Sequence, residues 1–239
     1  MSDMKKKIVV TGPACTKESS KALADLLGGI YVPITETQDF RGADIVINYG
    51  SSVPFLYKRV INHPKAVKFC VNKISTLKRV VHGVEWTKDV NVALDWLKKD
   101  GAVVCRDKEE GNRSDGVMIA YTKAGFNECP AKFWTRYFDH VHEVRINVYK
   151  DKILSVYEKV TEGDYFDFQH MIVSGEHKQV DEMIASIREN IGIDLYGMDV
   201  LVNKKGVAKL LEINSGASLM EETIPELLPI LKQEIASYV

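Results

Sequence analysis

Apolar positions recur along this chain in two different rhythms. In the first third, short apolar runs alternate with amphipathic stretches. Residues 5–10 read as a buried strand around Ile8-Val9-Val10. A helix over about 17–27 follows, because Leu23, Leu26 and Leu27 recur at helical spacing; Thr16 takes the N-cap position and Gly28-Gly29 stops the helix. Ile45-Val46-Ile47 forms the centre of a second strand, which ends in the loop Asn48-Tyr49-Gly50-Ser51-Ser52. The pattern predicts a helix over about 54–61, a third strand over 67–71 and another helix after Lys73. Strand and helix alternating at these spacings make a small α/β unit.

The second rhythm starts after a helix over about 87–99, whose Val90, Ala93, Leu94 and Leu97 share a face. Beyond Gly101 the pattern predicts strands over 102–105, 117–121, 143–149, 153–160, 198–202 and 207–213. One long helix, 178–190, interrupts them and stops at Gly192; a last helix covers about 222–237. The expected class is therefore α+β. A small α/β unit over residues 1–80 precedes a mostly antiparallel unit over 81–239, and no segment repeats.

The densest chemistry lies in the segment 197–214. Asn203-Lys204-Lys205-Gly206 between two apolar runs is a hairpin turn. If Asn203 faces Gly206, Asp199 stands opposite Leu210, and alternation brings Glu212 and Asn214 onto the face of Asp199. Two carboxylates and an amide oxygen in an apolar setting suit a hard cation such as Mg²⁺. The competing reading is a solvated strand face. Leu210 on that face and the apolar character of both strands argue against it.

Two further segments carry charge in a pattern. In 103–119 a strand ends in Arg106, a polar loop follows with Gly111, Ser114 and Gly116, and a second strand returns. Such a loop can turn backbone N–H groups toward phosphates, or be a plain hairpin loop; it lacks the spacing of a P-loop, as does 11–17. In 133–148, aromatic residues precede Glu143 and Arg145, which point the same way on a strand. Arg145 beside a carboxylate is either a sheet-face salt bridge or a clamp for phosphate or an oxyanion. His140 and His142 also share a face, and with no third ligand they read as structural polar residues.

Composition narrows the partners. Among 239 residues, 32 Lys and Arg stand against 33 Asp and Glu, a net charge of −1. That balance lacks the general footprint of a nucleic-acid binder. The short apolar run after Met1 to Lys7 is neither a signal peptide nor a membrane span, so the expectation is a cytoplasmic protein with no membrane partner. Cys15, Cys70, Cys105 and Cys129 are not at metal-ligand spacing and are expected as thiols. No Ser/His/Asp or Cys/His constellation marks a nucleophile.

Taken in order, these segments resemble the ATP-grasp superfamily. Its members include D-alanine–D-alanine ligase, glutathione synthetase and the ribosomal-protein glutamate ligases. The resemblance covers roughly residues 70–220, and Asp199…Glu212-Ile213-Asn214 followed by Ser215-Gly216 is its most specific part. The loop 47–52 and Val71-Asn72-Lys73 are similar to small bacteriophage ATP-grasp proteins. The resemblance implies a small N-terminal α/β domain and antiparallel sheets that clamp ATP. It implies an ATP-dependent ligase joining a carboxylate to an amine through an acyl phosphate, with small-molecule or peptide substrates. The alternative is a regulatory or partner-binding module that holds Mg-ATP without ligating anything. Exposed helix faces near the boundary would allow a homodimer.

Residue by residue, the resemblance implies that Asp199, Glu212 and Asn214 bind magnesium between the β- and γ-phosphates. Lys73 and Arg106 would contact phosphates, and the loop with Gly111, Ser114 and Gly116 would close over them. The backbone of Arg136, Tyr137 and Phe138 would hold the adenine, with Leu210 lining its pocket, and Glu143 would take the ribose hydroxyls. Arg145 would be catalytic, stabilising charge on the acyl phosphate and its adduct. Asn48, Ser51, Ser215 and Gly216 would meet substrate. The chain departs from the family in three places. Arg106 stands where Lys is usual, the loop has fewer glycines, and Ser-Gly follows Asn214 in place of Pro-Gly.

Overall fold

The computed structural model describes residues 7–35, 38–110, 116–162, 165–170, 178–217, 219 and 223–238. Its first part is a parallel sheet of β1 (Ile8–Gly12), β2 (Ile30–Pro33), β3 (Ile45–Asn48) and β4 (Val60–Ile61), in the order β2-β1-β3-β4. Between β1 and β2 runs α1 (Lys17–Leu27). Its C-terminus is closed by Gly28 in the left-handed region, φ 65°, with Gly29 N–H donating back to Ala24 at 2.8 Å. At the other end, Thr16 does not cap the helix with its side chain. Its hydroxyl lies 3.0 Å from the Pro13 carbonyl and 3.1 Å from that of Tyr49, which ties the loop after β1 to the loop after β3. Because β2 and β3 flank β1 on opposite sides, these two loops bound the crevice at the topological switch point.

Two expected elements exchange type. The stretch 54–61 is not helical: Leu56 bridges Asp39, and Val60–Ile61 adds to the sheet beside β3. The stretch 67–71 is not a strand but the end of α2 (Pro64–Val71). Pro64 takes its first position, the His63 side chain accepts from Lys65 N–H at 3.0 Å, and Ala66, Val67 and Cys70 make its buried stripe. A five-residue apolar run cannot by itself distinguish a buried strand from a buried helical stripe. Asn72 then caps α3 (Lys73–Leu77), its side-chain oxygen accepting from Ser75 N–H at 2.8 Å, so Lys73 opens that helix.

A second, antiparallel sheet contains β5 (Trp86–Thr87), β6 (Val103–Arg106), β7 (Val117–Ala120) and β8 (Phe133–Arg136), in the order β5-β8-β6-β7. Helices α4 (Val90–Asp100) and α5 (Lys123–Glu128) cover one face through Ala93, Leu97 and Phe126. The third sheet is antiparallel throughout: β9 (His142–Tyr149), β10 (Lys152–Glu162), β11 (Tyr165–His170), β12 (Leu195–Val202) and β13 (Ala208–Asn214). Their order is β11-β10-β9-β12-β13. Strands β2, β8 and β11 lie outside the elements predicted from periodicity. The large sheet buries its Val144, Ile146, Met198, Val200 and Ile213 face under α6 (Lys178–Asn190) and α2. The last helix, α7 (Thr223–Ser237), returns to the first sheet, packing Leu227, Leu231 and Ile235 on Ile8, Val10 and Leu23.

Residues 82–87 strap the two antiparallel sheets together. Leu210 N–H donates to His82 and Val84 N–H to Leu210 on the large sheet, while Trp86 and Thr87 pair with β8 on the small one. Asn62 ties the first sheet to the large one. Its backbone sits at φ 62°, and its side chain accepts from Asp194 and Leu195 N–H at 3.0 and 2.8 Å and donates to the Leu195 carbonyl at 2.7 Å. Asn62→Ala removes these bonds and a longer one to the Ser215 carbonyl, at a left-handed position, and is expected to cost about 3 kcal/mol, read as a lower urea midpoint at unchanged slope.

The cysteines are thiols in the fold: Cys15 is exposed, while Cys70 and Cys105 are buried. Burial pushes the Cys70 and Cys105 thiols up to about 12. At neutral pH, DTNB is expected to react quickly with Cys15, and with Cys70 and Cys105 only at the rate of unfolding. Rapid native-state modification of Cys70 would contradict its burial. Among the described residues no helix is long and apolar enough to cross a membrane.

Candidate active site

The face of the large sheet turned away from α6 is polar where three strands meet. Pairing sets Glu143, Leu201 and Lys209 in one row, Arg145, Asp199 and Glu212 in the next, and Asn147, Gly197 and Asn214 in the third. The register differs from the hairpin expectation. Asp199 stands opposite Glu212, not Leu210: Asn203 closes the turn on Val207 rather than Gly206, a shift of one residue, and a bulge between Val200/Leu210 and Asp199/Glu212 adds a second. Leu211 is the extra residue in that bulge. The expected face for Asp199, Glu212 and Asn214 survives because the slip at the site is two residues, one full period of the strand.

The shift at the turn moves Leu210. It pairs with Val200 and is wholly buried in the core under α6, so it does not line the face that carries Asp199. Leu211 does, packed with Leu201, Val84, Trp86 and Phe138. An expectation of uninterrupted alternation places Leu210 where Leu211 stands.

Charge is balanced pairwise across this face. Asp199 is wholly buried, and Arg145 grips it with Nε on one oxygen and Nη2 on the other, the latter at 2.9 Å. The carboxylate beside Arg145 is thus Asp199 on the neighbouring strand. Burial works against the Arg145 charge, but the bonds to Asp199, with Glu212 and Glu143 nearby, hold its pKa above the ordinary value. Lys73 reaches Glu212 from the first turn of α3, Nζ to Oε2 2.9 Å. Asn214 Nδ2 bridges the two carboxylates, 3.4 Å from Asp199 and 3.3 Å from Glu212.

Gly197 makes room for this arrangement. A Cβ there would lie 2.9 Å from Arg145 Cδ and 3.0 Å from Asn147 Oδ1. Behind it, Asn147, Ser155 and Thr223 form a buried polar cluster: Asn147 donates to Ser155 at 3.0 Å, and the Ser155 and Thr223 hydroxyls are 2.8 Å apart. Periodicity carries no signal for either feature.

The small sheet supplies the opposite wall. Arg106 is buried at the end of β6, and its Nε donates to the Thr135 hydroxyl at 3.3 Å. Burial lowers its pKa, while Glu212 and Glu143 pull it up, so its charge faces those two carboxylates across the cleft. Gly116 sits at φ 77°, and its carbonyl accepts from Asp107 N–H at 3.0 Å, closing the base of the loop after β6. Gly111 and Ser114 lie outside the described residues.

At the far end, Tyr137 and Phe138 line a cavity of about 730 Å³ with Val84, Asn203 and Lys209. The Arg136 side chain is turned to Asp100 and Glu85, Nε to Asp100 at 2.7 Å and Nη1 to Glu85 at 3.0 Å. His140 Nδ1 donates to the Phe138 carbonyl at 2.8 Å, and His142 pairs with Glu158, so both histidines are structural.

Two of the expected substrate residues are otherwise engaged. Asn48 is wholly buried; it accepts from Ser51 N–H at 3.0 Å and donates to the Ser51 and Asn62 carbonyls at 2.8 and 2.9 Å. Ser51 is buried and its hydroxyl accepts from Val53 N–H at 3.1 Å. Both hold the loop after β3. Ser215 and Gly216 lie against that loop: a Cβ on Gly50 would be 3.7 Å from Ser215 Oγ, and one on Gly216 would be 3.3 Å from the Tyr49 ring.

Asp199, Glu212 and Asn214 fit a hard divalent ion. Their oxygen-bearing groups already converge, Asn214 can present its amide oxygen by rotating about its last bond, and Lys73 and Arg145 pair with the two carboxylates. Two carboxylates and one amide are few protein ligands, and such a set leaves positions for water or phosphate. That is the habit of Mg²⁺ rather than of zinc.

Two antiparallel sheets flank a charged cleft, with a small parallel sheet at one end, and solved structures, among them an ATP-grasp ligase, share this fold. The chain superimposes on a D-alanyl-alanine synthetase A from Vibrio cholerae with a TM-score of 0.71 at 12% identity, over 98% of this chain and 99% of that one. It superimposes on the ATP-grasp ligase PsnB, in complex with a minimal precursor, with a TM-score of 0.68 at 13% identity over 99% and 100%. A Staphylococcus aureus N5-carboxyaminoimidazole synthetase bound to ADP matches at 0.66 and 11% identity, over 88% of this chain and 70% of that one. No protein-family model and no curated protein matches the sequence.

Proposed function

We propose that this chain is an ATP- and Mg²⁺-dependent ligase that joins a carboxylate to an amine through an acyl phosphate. The observation that carries the reading is the convergence of Asp199, Glu212 and Asn214 with two buried cations, Lys73 and Arg106, and the partly buried Arg145, between the two sheets. The solved structures of this fold include a peptide-precursor ligase and a D-alanyl-alanine synthetase, and one PsnB complex holds Mg and ADP. These support ligation of carboxylates in general.

In this reading Tyr137 and Phe138 hold the adenine by their backbone with Leu211 beneath it, and Glu143 takes the ribose. Lys73, Arg106 and the loop ending at Gly116 hold the phosphates. Asp199, Glu212 and Asn214 would hold the magnesium, which when bound would neutralise phosphate charge. The substrate carboxylate attacks the γ-phosphorus: a new O–P bond forms, the bond to the β,γ-bridging oxygen breaks, and ADP leaves. The amine nitrogen then attacks the acyl carbon, a C–N bond forms, the C–O bond to phosphate breaks, and the amine loses a proton. Arg145 stabilises the oxyanion of that adduct beside Ser215 and Gly216.

A calorimetric titration with a non-hydrolysable ATP analogue, with and without Mg²⁺, tests the nucleotide site. Binding strengthened by Mg²⁺, with a matching rise in melting temperature, is the expected result. Absence of binding in both conditions overturns the reading. Binding with no ADP release across carboxylate and amine pairs favours the regulatory module.

A further inference from the structure

Tyr49 is the residue of the loop after β3 that does no work in the fold's own hydrogen bonding beyond its backbone. Its peptide is fixed at both ends: N–H to the Thr11 carbonyl at 2.7 Å, and carbonyl oxygen 3.1 Å from the Thr16 hydroxyl. Gly12 is required for this approach, since a Cβ there would lie 2.7 Å from the Tyr49 carbonyl oxygen. The ring is almost wholly buried, at 2% exposure, packed with Tyr149, Leu154, Leu195 and Ala217. Among the described residues the hydroxyl has no hydrogen-bond partner. Yet it is close enough to Arg145 for the guanidinium to act on it electrostatically.

Among the described residues the sealed side-chain atoms without a partner belong to Thr11, Asp107, Trp134 and Tyr196, so the Tyr49 hydroxyl keeps the small exposed area of its residue and is open to a solute. Burial raises its pKa against the opposing pull of Arg145, so it keeps its proton and is a donor at working pH. Its ring is also the surface against which Gly216 is packed, at the end of β13 that carries Glu212 and Asn214. A fixed O–H donor, a neighbouring cation and an adjoining glycine loop together describe a receptor for an anionic oxygen.

We propose that the Tyr49 hydroxyl binds the carboxylate of the substrate, donating to one of its oxygens while Arg145 supplies the opposing charge. This deepens the ligase reading and rests on it for the identity of the bound group. The N-terminal sheet then contributes to the reacting end of the site through Tyr49 rather than through Asn48 or Ser51.

Acetate is the probe. With tyrosine labelled with ¹³C at Cζ, the Tyr49 resonance is assigned by its loss in Tyr49→Phe, and acetate is titrated at constant ionic strength against chloride. Titrations run with and without the magnesium complex of the ATP analogue. The expected result is a saturable shift of that one resonance by acetate and not by chloride. Calorimetry should then show acetate affinity about 10- to 100-fold weaker in Tyr49→Phe, with nucleotide affinity unchanged. Gly216→Ala, which presses a methyl group on the ring, is a second variant expected to weaken acetate binding if the first fails to fold. Equal acetate affinity in wild type and variant, no acetate binding, or a shift that chloride reproduces overturns the proposal. Loss of nucleotide binding in the wild type overturns the ligase reading instead, and the acetate arm without nucleotide still decides Tyr49.

Discussion

Glu212→Gln is expected to remove the Mg²⁺ dependence of nucleotide binding. Glu212 pairs with Asp199 across β12 and β13, lies 2.9 Å from Lys73 Nζ and is bridged to Asp199 by Asn214. The substitution is isosteric, so packing is retained while one of two carboxylates loses its charge. A hard cation held by two carboxylates and an amide loses much of its binding with either carboxylate. The wild-type gain in analogue affinity on adding Mg²⁺ should fall by about 100-fold or more, and basal ADP release should fall with it. An unchanged Mg²⁺ response in the calorimeter would sink the metal assignment.

The second large effect is on stability. Asp199→Ala leaves Arg145 charged, nine-tenths buried and stripped of its bidentate partner. Breaking such a pair costs about 3–5 kcal/mol, and in a chain of this size each kcal/mol lowers the melting temperature by about 2–4 °C. A fall of about 6–20 °C is therefore expected by calorimetry. The double variant Asp199→Leu with Arg145→Met removes both charges and should recover most of that loss, because an apolar pair of similar volume has no desolvation cost. A double variant no more stable than Asp199→Ala would show that the fall came from packing.

Much of this site was legible without coordinates. The Asn-Lys-Lys-Gly turn between two apolar runs implies a hairpin, and a two-residue period puts Asp199, Glu212 and Asn214 on one face. Arg106 at a strand end and Arg145 two residues from Glu143 followed from the same local rules. Lys73 was reached through resemblance alone. Its contact with Glu212 spans 139 positions and depends on Asn72 capping α3, which no local pattern reveals.

The sequence by itself determined where polar residues interrupt apolar strands, and hence which side chains could share a face. That is a property of backbone geometry, set within a few residues. The tertiary structure decided everything that depends on which strand lies beside which. It placed Asp199 rather than Glu143 as the partner of Arg145, because β9 lies beside β12. It put Leu211 in the cleft and Leu210 in the core, because the turn closes on Val207, and it kept Glu212 beside Asp199, because a bulge follows. It made 64–71 a helix, because that stripe packs under the large sheet. It turned Asn48 and Ser51 inward to satisfy buried backbone and left the Tyr49 ring against Gly216, because a buried loop must pair its own peptide groups first.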